Sequence, residues 1–328
     1  MSELENLISD CEKYITRNGI DENIINTYCD VCQLAKDEKK TDLMLKCTAR
    51  AKELIETACV RNTGLDMWGI EKFVFKNKSS FELLDKYYEI LLIEAQNKIV
   101  DSFFRYIEKK REPKERFYMP RRKQFLKIGL VDALQGMIND KYDILCISLP
   151  PGTGKTTIEK FFHSAVIGWY TSGYNLFYSH SGDITRMYYD GMYDIVTNED
   201  EYTWNEIFPE LKVTSTNAKL EQFNVGKYKP FQSVQCTSVG SKNAGKVRAN
   251  KFLLVDDMIG GIEEALNPIY LDKLWGKYAV DARQRKIPDE DGNPCKEIHI
   301  ATRWSVRDVI GRIIQAYEGN KRVKVISV

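Results

Sequence analysis

The sequence predicts an α/β fold, a mainly parallel central sheet flanked by helices and preceded by a small helical N-terminal region. Three observations predict it. A Gly-rich turn, Leu149 to Thr157, stands between the apolar run Asp143–Ser148 and a helical segment, Ile158 to Tyr170. A second apolar run, Lys251 to Val255, ends in two acids, Asp256 and Asp257. Further apolar runs, Tyr174–Ser179, Lys296–Ile300 and Val323–Val328, alternate with helical segments, the pattern of strands joined by helical crossovers.

A chain of 328 residues suffices for one large domain or two ordinary ones. Its net charge of +1 argues against coating nucleic acid generally, which takes a strong basic excess, but leaves room for a local basic channel. No apolar stretch approaches the ~20 residues of a membrane-spanning helix. Met1 to Glu5 lacks the basic and apolar parts of a secretory signal. These features predict a cytoplasmic protein without a membrane partner. Cys29 and Cys32 have metal-ligand spacing but no second such pair, so core thiols are the better reading. His163, His180 and His299 are too dispersed to suggest a triad.

In chain order, residues 1–62 read as three short helices, with Asp21 and Thr41 as N-caps. They form an accessory region without visible chemistry, and residues 63–328 form the main domain. A helix over about Phe81–Arg111 carries an apolar stripe at three- and four-residue steps. Arg121-Arg122-Lys123-Gln124 leads into a helix, Phe125 to Ile138. The Gln124 amide, both donor and acceptor, can read adenine, with Arg121 beside it. After the Gly-rich turn comes a helix from Asp183, its expected cap, to Thr197, and an irregular section over about 200–230. Phe231–Val239 reads as a half-exposed strand running into a cationic loop, Gly240 to Arg248. Pro268–Arg283 and Val306–Ala316 read as helices.

The chemistry concentrates in two places. Pro151, Gly152, Thr153, Gly154, Lys155, Thr156 and Thr157 have the strand–turn–helix context of a phosphate-binding loop. N–H groups at a helix start lack partners and carry the positive end of its dipole, so they converge on an anion. Lys155 reaches the β- and γ-phosphates of ATP, and the Thr156 hydroxyl sits on Mg²⁺. The first glycine of the usual spacing falls at Leu149. The paired acids end their strand on the edge where open α/β sheets bind ligands. Asp256 is the expected Mg²⁺ ligand, and Asp257 the group that orients the attacking water. Thr302 and Arg303 end the Lys296–Ile300 strand on that edge, where a hydroxyl can contact the γ-phosphate.

With these motifs in place, about residues 65–328 resemble the ATPase half of large terminase subunits, the genome-packaging motors of tailed phages. The resemblance rests on Arg121-x-x-Gln124, the Leu149–Thr156 loop, Gly245–Asn250 before Leu253-Leu254-Val255-Asp256-Asp257, and Ala301-Thr302-Arg303-Trp304. It implies a P-loop NTPase of the additional-strand, catalytic-glutamate (ASCE) type, with Asp257 where many members have Glu. It implies double-stranded DNA as the translocated substrate, a portal protein and a small terminase subunit as partners, and a homo-oligomeric ring when assembled, with a monomer in isolation left open. The setting is then the host cytoplasm and, transiently, the procapsid. The arginine that stabilises charge on the γ-phosphate has Arg248 and Arg303 as candidates, and Arg122 behind them. The chain ends inside an apolar strand, which predicts a piece of a longer protein, and before a C-terminal nuclease domain could begin, so no nuclease activity is expected of it. Two other readings stay open: a helicase or AAA+-type remodelling ATPase, and a nucleotide-binding assembly subunit with little turnover.

Overall fold

A computed structural model describes residues 3–241 and 246–328. Lys242 to Gly245 of the cationic loop lie outside the described residues. The chain forms two compact units, Met1–Met119 and Pro120–Val328. The helical unit thus runs beyond the expected limit at residue 62, to Met119.

The first unit is helical: α1 (Glu3–Asn18), α2 (Glu22–Asp37), α3 (Thr41–Thr63), α4 (Met67–Asn77), α5 (Glu82–Gln96) and α6 (Val100–Tyr106). Asp21 caps α2 as expected, accepting from Ile24 N at 2.9 Å. Thr41 does not cap α3; it is the helix's first residue, after Lys40. The single long helix expected over Phe81–Arg111 is two helices, α5 and α6, which pack on each other. Unbroken, it would run about 46 Å. Instead Lys98 takes a left-handed φ of 68°, and Phe103, Phe104 and Ile107 turn back into the core.

The second unit opens on α7 (Tyr118–Lys127), whose first two residues belong to the first unit, and α8 (Leu130–Ile138). Gly129, at φ 74°, breaks the single helix expected there. Next come β1 (Ile144–Ser148), α9 (Lys155–Trp169), β2 (Asn175–Ser179), α10 (Gly182–Thr197), the short α11 (Trp204–Ile207), β3 (Val213–Asn217), β4 (Gln222–Val225) and β5 (Val234–Ser238). The chain continues through β6 (Phe252–Asp256), α12 (Ile262–Ala265), α13 (Pro268–Lys277), a π-helical turn (Tyr278–Ala282), a 3-10 turn (Arg283–Arg285), β7 (Lys296–Ala301), α14 (Val309–Ala316) and β8 (Val323–Ser327). The cap of α10 is Ser181, not Asp183.

The eight strands form one sheet in the order β3-β4-β5-β2-β6-β7-β1-β8. From β5 to β8 every pairing is parallel, and β3 and β4 add an antiparallel edge. The molecule is therefore α/β, with a mostly parallel mixed sheet flanked by helices. β1, β2 and β6 bury all their residues, as apolar runs covered on both faces must. On one face Phe252 meets Phe162 of α9 edge-on, ring centroids 5.4 Å apart, and Phe177 stacks on Tyr188 of α10 at 3.5 Å. On the other, Leu253 and Val255 join Leu271, Leu274 and Tyr278, with Ile310 and Ile313 of α14. This alternation leaves Asp256 on the α9 face, in step with Phe252 and Leu254. Among the described residues, no helix is long and apolar enough to cross a membrane.

Candidate functional site

The parallel strands β1, β7, β6 and β2 lie side by side, so the segments that leave their C-terminal ends share one edge. Those segments are the Gly-rich loop after β1, Thr302 after β7, Asp257 after β6 and His180 after β2.

In the loop, Gly152 and Gly154 take φ of 77° and 83°, a region that strains any residue with a Cβ. Thr153 Oγ1 donates to Pro150 O at 2.9 Å and closes the turn. The helix that follows leaves its first amides unmatched, as helices must. Among the described residues the N–H groups of Gly152 to Thr156 donate to no acceptor. An anion is the partner such a nest fits.

Five side chains meet beside it. Lys155, 8% exposed, donates to Thr302 Oγ1 at 2.5 Å and Leu149 O at 3.2 Å. It stands 3.8 Å from Asp257 Oδ2. Thr156 Oγ1 donates to Asp256 Oδ2 at 2.8 Å. Asp257 has φ 31°, a strained backbone for a non-glycine residue and a hallmark of functional positions. Its strain is held from several sides. Its N–H donates to Ile300 O at 3.0 Å, and its Oδ1 accepts from Thr302 N at 2.9 Å. Its carbonyl faces His180 Nδ1 at 2.5 Å.

The residues fit a hard divalent cation. Asp256 Oδ1 is buried without a partner, next to the Oδ2 that Thr156 binds. A hydroxyl and a carboxylate are the protein ligands Mg²⁺ commonly takes, water and phosphate completing the set. Burial, then the charge of Asp257, pushes the Asp256 carboxyl up to about 6, against the pull of Thr156, Lys155 and His180. A raised folded pKa means the folded state takes the proton more readily. The fold therefore loses stability as pH rises from about 4, and the loss is complete above about 6. Asp256→Asn, which cannot ionise, is expected to stabilise the ligand-free protein by about 3 kcal/mol at pH 8. At pH 4 it should add almost nothing. Denaturant unfolding at the two pH values checks this, and equal stability of the two proteins at pH 8 would refute it.

The remaining sequence-predicted residues make none of these contacts. Arg121 and Gln124 lie on α7, two helices before the loop, with Gln124 exposed. Arg248 is near the opposite edge of the sheet. Its N–H donates to Gln235 Oε1 close to the start of β5, at 3.3 Å, and its guanidinium donates to Val247 O at 2.9 Å. The chain thus does not bring its own Arg248 to Lys155 and Thr302. Arg303 is next to the site but engaged: it donates to Asp308 Oδ2 at 2.8 Å and Ser305 O at 3.0 Å. Thr157 lies in the first turn of α9 with its N–H on Gly154 O at 3.1 Å, and Pro151 is exposed on the loop. Asn250 accepts from Tyr174 N at 2.9 Å and fastens the start of β2.

Two residues escaped the sequence reading. His180 belongs to no motif; only its place just after an apolar strand could have marked it. Glu159 is the one acid on α9, 2% exposed, with neither carboxylate oxygen partnered. Burial, with the charges of Asp256 and Asp257, pushes it well above the usual carboxylate range. A single acid at a core position of α9 was the available signal.

Comparison with models of known protein families finds no match for this chain, and comparison with curated proteins finds none.

Proposed function

We propose that this chain is a Mg²⁺-dependent ATPase of the P-loop, additional-strand type, the motor domain of a viral genome-packaging terminase that translocates double-stranded DNA. The observation that carries the nucleotide reading is the meeting of Lys155, Thr156, Asp256, Asp257 and Thr302 at one sheet edge, although Lys155 and Thr302 are 147 positions apart in sequence. The strand order supports it: β7 stands between the loop strand β1 and the acid strand β6. The motor reading rests on the motif resemblance above.

In this mechanism the amides of Gly152 to Thr156 and the Lys155 ammonium bind the β- and γ-phosphates. Mg²⁺, held by Thr156 and Asp256, would neutralise charge on the phosphate oxygens. Asp257, fixed by Thr302 N and by its own backbone contacts, orients water for attack and accepts its proton. Thr302 gives up Lys155 to the incoming phosphate, and its hydroxyl then faces the γ-phosphate end of the site. The engagement of Arg303 by Asp308, and the distance of Arg248, favour an arginine supplied by a neighbouring subunit. The isolated chain then turns over slowly.

The test is ATP turnover per subunit against protein concentration, with and without double-stranded DNA, beside nucleotide binding. Turnover should rise with concentration and with DNA. Lys155→Ala should weaken nucleotide binding about 10- to 100-fold, the worth of a charged hydrogen bond. Flat turnover with intact binding would favour the assembly subunit, and unchanged binding by Lys155→Ala would defeat the nucleotide reading.

A further inference from the structure

Glu159 occupies a defined point between α9 and the sheet. At one end of the α9 face, Thr156 reaches Asp256, the last residue of β6. Further along that face, Phe162 packs on Phe252, the first residue of β6. Glu159 is three residues on from Thr156 and three short of Phe162, so it shares their face and lies over β6 between them. The adjoining strand contributes Ser179, paired in register with Asp256. Ser179 points to the α9 and α10 side, because Phe177, two residues earlier, stacks there on Tyr188.

Both Glu159 carboxylate oxygens, Asp256 Oδ1 and Ser179 Oγ are buried in this wedge without hydrogen-bond partners. Each such atom costs the fold about 1–3 kcal/mol if it stays unmatched. An apolar residue at position 159 would avoid that cost, since Phe161, Phe162 and Val166 pack around this part of α9. A polar group retained at such a cost points to a task.

We infer that Glu159 is a positioning residue for the cation site: with Ser179, through buried water, it holds the free oxygen of Asp256 and so fixes the carboxylate that Thr156 and Mg²⁺ share. Ordered water commonly matches buried polar atoms of this kind, with two to four such partners each. Partners that orient a metal-binding carboxylate are commonly worth 10- to 100-fold in metal affinity. The inference rests on the nucleotide reading above and extends it to a residue outside the loop and the paired acids.

The experiment uses the full chain with Mg²⁺ and a fluorescent ADP. It measures the Mg²⁺ concentration that half-saturates nucleotide binding, and thermal unfolding without ligand. Glu159→Leu should unfold at a higher temperature than the wild type, yet need about 10- to 100-fold more Mg²⁺. Glu159→Gln, which keeps the hydrogen-bonding capacity, should stay within about threefold of the wild type. A merely tolerated buried acid would give the stability gain without the Mg²⁺ effect, and that result overturns the inference. Should Glu159→Leu fail to fold, Ser179→Ala decides: a raised Mg²⁺ requirement supports the inference, an unchanged one overturns it. Wild-type protein whose nucleotide binding ignores Mg²⁺ defeats the underlying reading, and this inference with it.

Discussion

Asp257→Asn is expected to cut ATP turnover by about 10²- to 10⁴-fold, the usual contribution of a positioned base, while Mg²⁺–ATP binds within about threefold of the wild type. The two effects separate because of how Asp257 is held. Its Oδ1 accepts from Thr302 N at 2.9 Å and its N–H donates to Ile300 O at 3.0 Å. An asparagine amide oxygen can keep the first bond, and the second involves only main chain. The strained φ of 31° also suits Asn, which tolerates left-handed backbone better than most residues. What the variant loses is the charge beside Lys155, 3.8 Å away, and with it the ability to take a proton from water. Single-turnover hydrolysis and equilibrium binding on the same protein give the comparison. Normal hydrolysis would remove Asp257 from the mechanism. Loss of binding would instead make its contacts with Thr302 and Lys155 part of the nucleotide cradle.

Glu297→Gln should destabilise the fold by about 3–5 kcal/mol at neutral pH, the cost of breaking a buried charge network by removing one partner. Glu297 lies on β7 and is 0% exposed. It accepts from Arg283 Nε at 2.9 Å, Lys286 Nζ at 2.7 Å, His299 Nε2 at 3.0 Å, and the Tyr278 hydroxyl. Burial alone would raise its carboxyl, but the His299 hydrogen bond and the charges of His299, Lys286 and Arg283 outweigh it and hold the group well below the usual range. A lowered folded pKa gives stability that is present above the ordinary value of 4.5 and is lost as pH falls below it. The gap between wild type and variant should therefore be full at pH 7 and shrink as acid is added. Unfolding midpoints at pH 7 and pH 4 check this. A gap that is equal at both would mean Glu297 acts by shape, not by charge.

The strands that build the site were legible because both faces of the sheet are covered. Ile144–Ser148 and Phe252–Asp256 had to be apolar throughout until the chain emerged at the ligand edge. The loop was legible because its backbone needs glycine at positions 152 and 154. The hairpin β3–β4 was not, falling in a section read as irregular. β3 is polar and largely exposed, a composition that blunts an edge strand and removes the pattern that marks one. The break at Lys98 was hidden for a different reason: apolar residues continue on both sides of it, and tertiary packing decides where the helix turns. The break at Gly129 did carry a local signal, a glycine free to take a left-handed φ of 74°, which the apolar spacing on both sides masked. Glu159 and His180 were invisible as site residues because each acts through a neighbour brought close by the fold, His180 facing a carbonyl 77 positions away.

The latch between Lys155 and β7 bears on how any measured affinity should be understood. The Lys155 ammonium has two partners within the chain, the Thr302 hydroxyl and the Leu149 carbonyl. On the proposed reading, an arriving phosphate would compete for a cation that is already engaged. The affinity that a titration recorded would then be a difference between two engagements of the same lysine, smaller than the strength of the lysine's hold on the anion itself. The exchange also has a by-product. A ligand that won Lys155 would release the hydroxyl of Thr302, whose backbone N–H is bonded to Asp257, so occupancy at the loop would alter the surroundings of the acid in the same step, with no separate messenger between them.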